Sequence, residues 1–218
     1  MNTMLRLALA TAAAAAFCTG LAVGLDWRLM LLIKLMPVLL ALDWLRAARV
    51  PGRYRLWIAL GLGVSLLGDA LLALPQDCFV AGLVVFLCAH LAYVIAYLQR
   101  SRSPAWTWLS CAVLAVSGFL YLLDSRAELG PMRGPVYAYA IVIGAMLWRA
   151  GSLARLDRAG RWALLGALLF VASDMLLAWN RFVAPDAFRG TLSILLYWAG
   201  QWGIATSAVL LRGSRTGV

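Results

Sequence analysis

Apolar runs of about 20 residues, the length needed to cross a bilayer, recur eight times along this chain of 218 residues, and they dictate its fold class. Their bounds read as 4–24, 27–47, 54–74, 79–98, 104–123, 131–150, 161–180 and 190–211. The connections between them are short, so residues 1–218 are expected to form a single polytopic transmembrane domain. Hydrophobic residues make up 64% and charged residues 13% of the chain, where a soluble domain carries roughly 25% charged residues. With a mean hydropathy of +0.88, such a chain needs lipid around it. Strand-period alternation with regular turns is absent, which excludes a membrane barrel. The expected fold is an all-α integral membrane protein, a bundle of eight transmembrane helices.

Charge gives the orientation. Of the 19 basic residues, all but Lys34 are arginine, and most fall between the apolar runs. Arg46, Arg49, Arg53 and Arg55 follow span 2, and Arg100 and Arg102 follow span 4. Arg149, Arg155, Arg158 and Arg161 follow span 6, and Arg212 and Arg215 end the chain. The alternate connections offset fewer basic residues with Asp26, Asp77, Asp124, Glu128 and Asp186. By the positive-inside rule both termini are cytoplasmic in the cell (inner) membrane. Trp44, Trp57, Trp106, Trp108, Trp148 and Trp162 then fall near the inner interface, and Trp27 and Trp179 near the outer one. A net charge of +10 in this arrangement points to anionic lipid headgroups rather than to nucleic acid. The Ala-rich N-terminal run is longer than a typical signal-peptide core and is expected to be the first membrane helix. Cys18, Cys78, Cys88 and Cys111 have neither disulfide-framework nor zinc spacing.

A faint repeat links the two halves: Leu67-Gly68-Asp69-Ala70-Leu71-Leu72-Ala73 in span 3 resembles Ala172-Ser173-Asp174-Met175-Leu176-Leu177-Ala178 in span 7. In each half a tyrosine follows in the next span, Tyr93 and Tyr197. Four spans separate the copies, so the halves would run parallel, related by an axis along the membrane normal. An ionisable side chain at membrane depth costs on the order of 2.5–3.5 kcal/mol and needs a partner or a function. Lys34, the only lysine, His90, the only histidine, and Asp69 and Asp174 are such residues. At 1.5 Å rise per residue, Lys34, Asp69, Asp174 and Tyr197 lie roughly 8–11 Å inside the outer helix ends, and His90 and Gln201 roughly 16 Å. These groups can meet only around a common cavity in the outer half of the membrane. Gly82, Phe86, His90 and Tyr93 share one helix face, as do Ser65 with Asp69 and Gly166, Phe170 with Asp174. Pro37, one turn after Lys34, cannot donate to the carbonyl of Ile33, which predicts a kink and a free acceptor beside the lysine. Asp43, three residues before Arg46, is expected to form an interfacial ion pair.

In order along the chain, Lys34-Leu-Met-Pro37, Ser65-x-x-Gly68-Asp69, Gly82-x-x-x-Phe86-x-x-x-His90-x-x-Tyr93, Tyr139 to Met146, Gly166-Ala167-x-x-Phe170-x-x-Ser173-Asp174 and Tyr197-x-x-x-Gln201 resemble the YhhN family of transmembrane proteins. The resemblance implies an eight-helix enzyme that hydrolyses the vinyl ether of lysoplasmalogens to a fatty aldehyde and a glycerophospho-base, without a cofactor. Vinyl ethers are protonated at carbon, and water captures the resulting oxocarbenium ion, so the reaction needs a general acid and a nearby negative charge. Asp69 and Asp174 are expected to supply both, as paired carboxyls do in glycosidases. His90 and Lys34 complete the expected catalytic set. Ser65, Tyr93, Tyr139, Ser173, Tyr197 and Gln201 are the expected substrate-binding residues. A zinc site of His90, Asp69 and Asp174 carries less weight, since the chain owns a single imidazole. The alternative outside the enzymes is a proton- or ion-coupled transporter using the same intramembrane charges.

Overall fold

The structure is a computed structural model, and it describes residues 1–48 and 52–211. Arg49, Arg212 and Arg215, which contribute to the charge bias, lie outside the described residues. Among those described, eight α-helices follow one another: α1 (Thr3–Val23), α2 (Trp27–Ala47), α3 (Arg53–Ala73), α4 (Phe79–Leu98), α5 (Trp106–Asp124), α6 (Arg133–Leu153), α7 (Arg158–Phe182) and α8 (Ala187–Val209). A short 3₁₀ turn, Gly130–Met132, leads into α6. The starts of four helices are marked by side-chain caps that satisfy otherwise orphaned N–H groups. Asn2 accepts from Leu5 N, Asp26 from Arg28 N, Asp157 from Gly160 N and Asp186 from Arg189 N, all at 2.7–2.9 Å. Gly24, at φ 68°, ends α1 in the left-handed conformation that a side chain disfavours.

Six of the helices are long and apolar enough to cross a membrane; α2 and α8 fall short on composition. The deficit has a local cause. Arg28, Lys34, Asp43 and Arg46 interrupt α2, and Arg189, Thr191, Ser193, Tyr197 and Gln201 dilute α8. Both helices lie against the polar interior described below. Large apolar side chains face outward around the bundle, among them Leu32, Leu67, Val84, Leu114, Ile141 and Leu165. A surface of that kind suits hydrocarbon rather than water.

Packing follows a two-fold pattern. α1 packs on α2 and α5 on α6; α3 on α4 and α7 on α8; α2 on α3 and α6 on α7; and α2 meets α8 as α6 meets α4. Each of these pairs becomes its counterpart when four is added to both helix numbers, cyclically; the α3–α8 and α5–α7 contacts fall outside that pattern. The α7–α8 crossing is the tightest. A Cβ on Gly166 would stand 2.6 Å from the backbone N of Ile204, and one on Gly203 2.8 Å from the Cα of Gly166. Small residues there let the two backbones touch, which is how helices associate in lipid.

One expectation needs correction. Asp43 does not pair with its neighbour Arg46 but with Arg6 of α1, whose Nε lies 2.8 Å from its Oδ2; Arg6 is itself buried. Pro37 lies within α2, and two carbonyls near it accept from indoles of α8. Trp198 Nε1 donates to Lys34 O at 3.2 Å and Trp202 Nε1 to Pro37 O at 3.1 Å. All four cysteines are free.

Candidate active site

Six helices bring polar side chains together inside the bundle. Lys34 on α2 faces Asp69 on α3: Nζ lies 3.6 Å from Oδ1, an ion-pair rather than a hydrogen-bond distance. The same ammonium donates to the backbone carbonyl of Asp69 at 3.2 Å. From α8, Tyr197 OH donates to the other carboxyl oxygen, Oδ2, at 2.6 Å. Asp69 is nearly inaccessible and its lysine partner only slightly less so. The remaining carboxyl, Asp174 on α7, accepts a short hydrogen bond from the phenol of Tyr139 on α6. His90 Nε2, on α4, stands 3.9 Å from Asp174 Oδ2 and has no hydrogen-bond partner.

The two carboxyls hold the same place in the similar segments 67–73 and 172–178 but are differently attended. Lys34 precedes Asp69 by 35 residues, and Tyr139 precedes Asp174 by the same 35. The equivalent position holds a cation in one half and a neutral phenol in the other. A charged carboxylate in a low-dielectric interior is compensated at Asp69 and has no cation at Asp174.

Lys34, Asp69, Asp174, Ser173 and Tyr197 all line one cavity of about 1430 Å³. Its mouth is formed by the α3–α4 and α7–α8 connections, where Arg181 Nη2 and Asp77 Oδ2 pair at 2.5 Å. That guanidinium holds the Asp77 carboxyl below the usual carboxylate range. Ser173 also joins α7 to α8: its hydroxyl donates to Ser193 O at 2.8 Å, and Ser193 Oγ donates to Ser173 O at 2.9 Å. Behind the cavity, Phe170 packs edge-on against His90 and Tyr197, with ring centroids 4.6 and 5.2 Å apart. His90 is fully buried there and is not part of the wall.

Of the ten expected site residues, three form a deeper layer away from the cavity. Tyr93 OH donates to Gln201 Oε1 at 2.7 Å, and Ser65 is buried beside them. These three are inaccessible, and none of them lines the cavity. Tyr139 lines a separate apolar slot, into which Asp174 also opens. Sequence reasoning did not find Arg181 and Asp77 at the mouth, nor Phe170 packed between His90 and Tyr197. Nor did it find the Tyr139–Asp174 bond, though the repeated 35-residue separation was there to point to it. Among the described residues no three His, Cys, Asp or Glu side chains converge as metal ligands would.

The family model that fits this chain is that of the YhhN family, and it matches residues 27–208, which include every site residue above. The chain belongs to the YhhN family. Similar proteins include a rat lysoplasmalogenase, TMEM86B (Rattus norvegicus), 35% identical over 85% of this chain and 75% of the relative. The human lysoplasmalogenase TMEM86B (Homo sapiens) is 36% identical over 82% of this chain and 74% of its own length. A lysoplasmalogenase of Mycobacterium tuberculosis is 33% identical over 68% of this chain and 57% of its own length. No solved structure matches the chain.

Proposed function

We propose that this protein is a membrane-embedded hydrolase that cleaves the vinyl ether bond of lysoplasmalogen-type lysophospholipids, releasing a fatty aldehyde and a glycerophospho-base. The observation that carries the proposal is the pair of carboxyls, Asp69 and Asp174, on the wall of one cavity, with a cation beside only one of them. The names of the family relatives supply the substrate class. One carboxyl delivers a proton to the vinyl ether, and the other stabilises the oxocarbenium ion and takes a proton from the attacking water. Tyr197 and Tyr139 hold the two carboxyls in position, while Lys34 balances the charge of Asp69. His90 acts on Asp174 from behind. Tyr93, Ser65 and Gln201 fix the α3, α4 and α8 layer beneath.

In this reading all eight helices span the cell membrane. α2 does so despite its charges because Leu29, Leu32, Met36 and Leu39 cover its outward side. Both termini are cytoplasmic, and the cavity opens toward the outer leaflet, where the loops are least basic. Membrane lipids surround the bundle and a lysophospholipid enters it. Purified protein in lipid nanodiscs, given a lysoplasmalogen or the matching acyl lysophospholipid, should release aldehyde from the first and no fatty acid from the second. Solute flux across proteoliposomes without lipid turnover would favour a transporter instead.

A further inference from the structure

Beside the main cavity lies a second, narrow space of about 60 Å³, enclosed by α4, α5, α6 and α7. Val116 and Phe119 of α5, Ala140 and Ile143 of α6, and Val171 and Met175 of α7 give it an apolar wall. Tyr139 and Asp174 are the polar side chains that reach it. Phe86 and Asp174 line both spaces, whereas Asp69 and Lys34 line the large cavity alone. α5 packs on α6 and touches α7 only lightly, so the slot can widen toward the surrounding lipid. Met175 and Phe119 are side chains able to swing as it does.

The chemistry of a vinyl ether has a direction. The proton goes to the carbon that bears the hydrocarbon chain, and water adds to the carbon bonded to oxygen. The acid must therefore stand on the chain side of the bond, and the groups that handle water on the glycerol side. We propose, building on the vinyl ether hydrolysis above, that the slot is the subsite for the substrate's hydrocarbon chain and that Asp174, at its junction with the cavity, protonates the chain-bearing carbon. Asp174 O–H breaks as the new C–H bond forms, and the vinyl π pair becomes that C–H pair. Water then bonds to the oxocarbenium carbon and its released proton passes to the Asp69 carboxylate. In the collapse of the hemiacetal, the C–O bond to glycerol breaks and its oxygen takes that proton from Asp69. The hemiacetal O–H proton returns to Asp174 as the aldehyde forms, restoring both carboxyls.

Ala140→Phe on α6 fills the slot from its apolar wall. Aldehyde release is measured from a long (hexadecenyl) and a short (butenyl) substrate of the same headgroup. The long-to-short ratio of kcat/KM should fall about 10-fold, the value of roughly two lost methylene contacts. Val116→Phe, from the opposite wall, should do the same if the first variant folds poorly. Ile141→Phe, on the lipid-facing side of α6, should match wild type. An unchanged ratio in both slot variants, with active wild type, overturns the chain subsite and leaves the hydrolase reading standing. Wild type releasing no aldehyde from either substrate defeats both.

The proton donor has its own readout in D₂O, where the aldehyde gains one deuterium on the carbon next to the carbonyl. Residual turnover by Asp69→Asn should deposit it on one face, because Asp174 still delivers it. Residual turnover by Asp174→Asn should give both faces equally. Retained facial selectivity in Asp174→Asn, with loss in Asp69→Asn, overturns the assignment.

Discussion

Lys34→Met tests the charge balance that sets the two carboxyls apart. The substitution keeps the length of the side chain and removes its only charge. In the wild type, Nζ makes an ion pair with Asp69 Oδ1 at 3.6 Å and a hydrogen bond to Asp69 O at 3.2 Å, in a setting where the carboxyl is almost wholly buried. Removing one partner of a buried pair costs about 3–5 kcal/mol, because the other charge is left unbalanced in a poor dielectric. Tyr197 OH, at 2.6 Å, remains as the donor to Asp69, which puts the expected loss at the lower end, about 3 kcal/mol. Asp69→Asn alone should cost less, since the lysine is the more exposed partner and can shift toward the cavity. The double variant should recover most of the loss, giving a coupling of about 2 kcal/mol between the two sites, as neighbours in one network do. The assay is a denaturant or thermal unfolding midpoint in nanodiscs, taken around the full cycle of four proteins. Strictly additive losses would refute the charge-balance reasoning.

Other outcomes follow from neighbouring features. Tyr139→Phe removes the phenol that donates to Asp174 and should slow aldehyde release about 10-fold, whereas Tyr139→Lys places an ammonium where the other half has Lys34 and should slow it at least about 100-fold; equal activity of the two in the same aldehyde assay would contradict this. Gly166→Val forces a side chain into the α8 backbone at 2.6 Å and should lower stability by about 3 kcal/mol or more, seen as a lower unfolding midpoint. Arg6→Gln leaves Asp43 without its cation and should loosen α1 from α2, read as faster proteolysis in the connection around Gly24.

Helix positions were legible because each apolar run is bounded by a cap or a charge cluster; α2 and α4 match the expected bounds of 27–47 and 79–98. That Lys34, Asp69, Asp174 and Tyr197 could meet was legible from depth, since rise per residue converts position directly into height; which aspartate the lysine faces was not. Rotation about each helix axis was less so. Tyr93 and Gln201 bond to each other in the core and do not line the cavity. Asp43 reaches Arg6 because α1 packs against α2, a neighbour relation that local spacing cannot express. The same residues that build the site, such as Lys34 and Gln201, lower the hydropathy of α2 and α8, so a purely compositional test recognises six spans.

The most direct test of the central claim compares kcat for aldehyde release by wild type, Asp69→Asn and Asp174→Asn, each confirmed folded by its unfolding transition. If both carboxyls act on the reacting atoms, each substitution lowers kcat by at least about 100-fold. Near-normal turnover in both variants would contradict it.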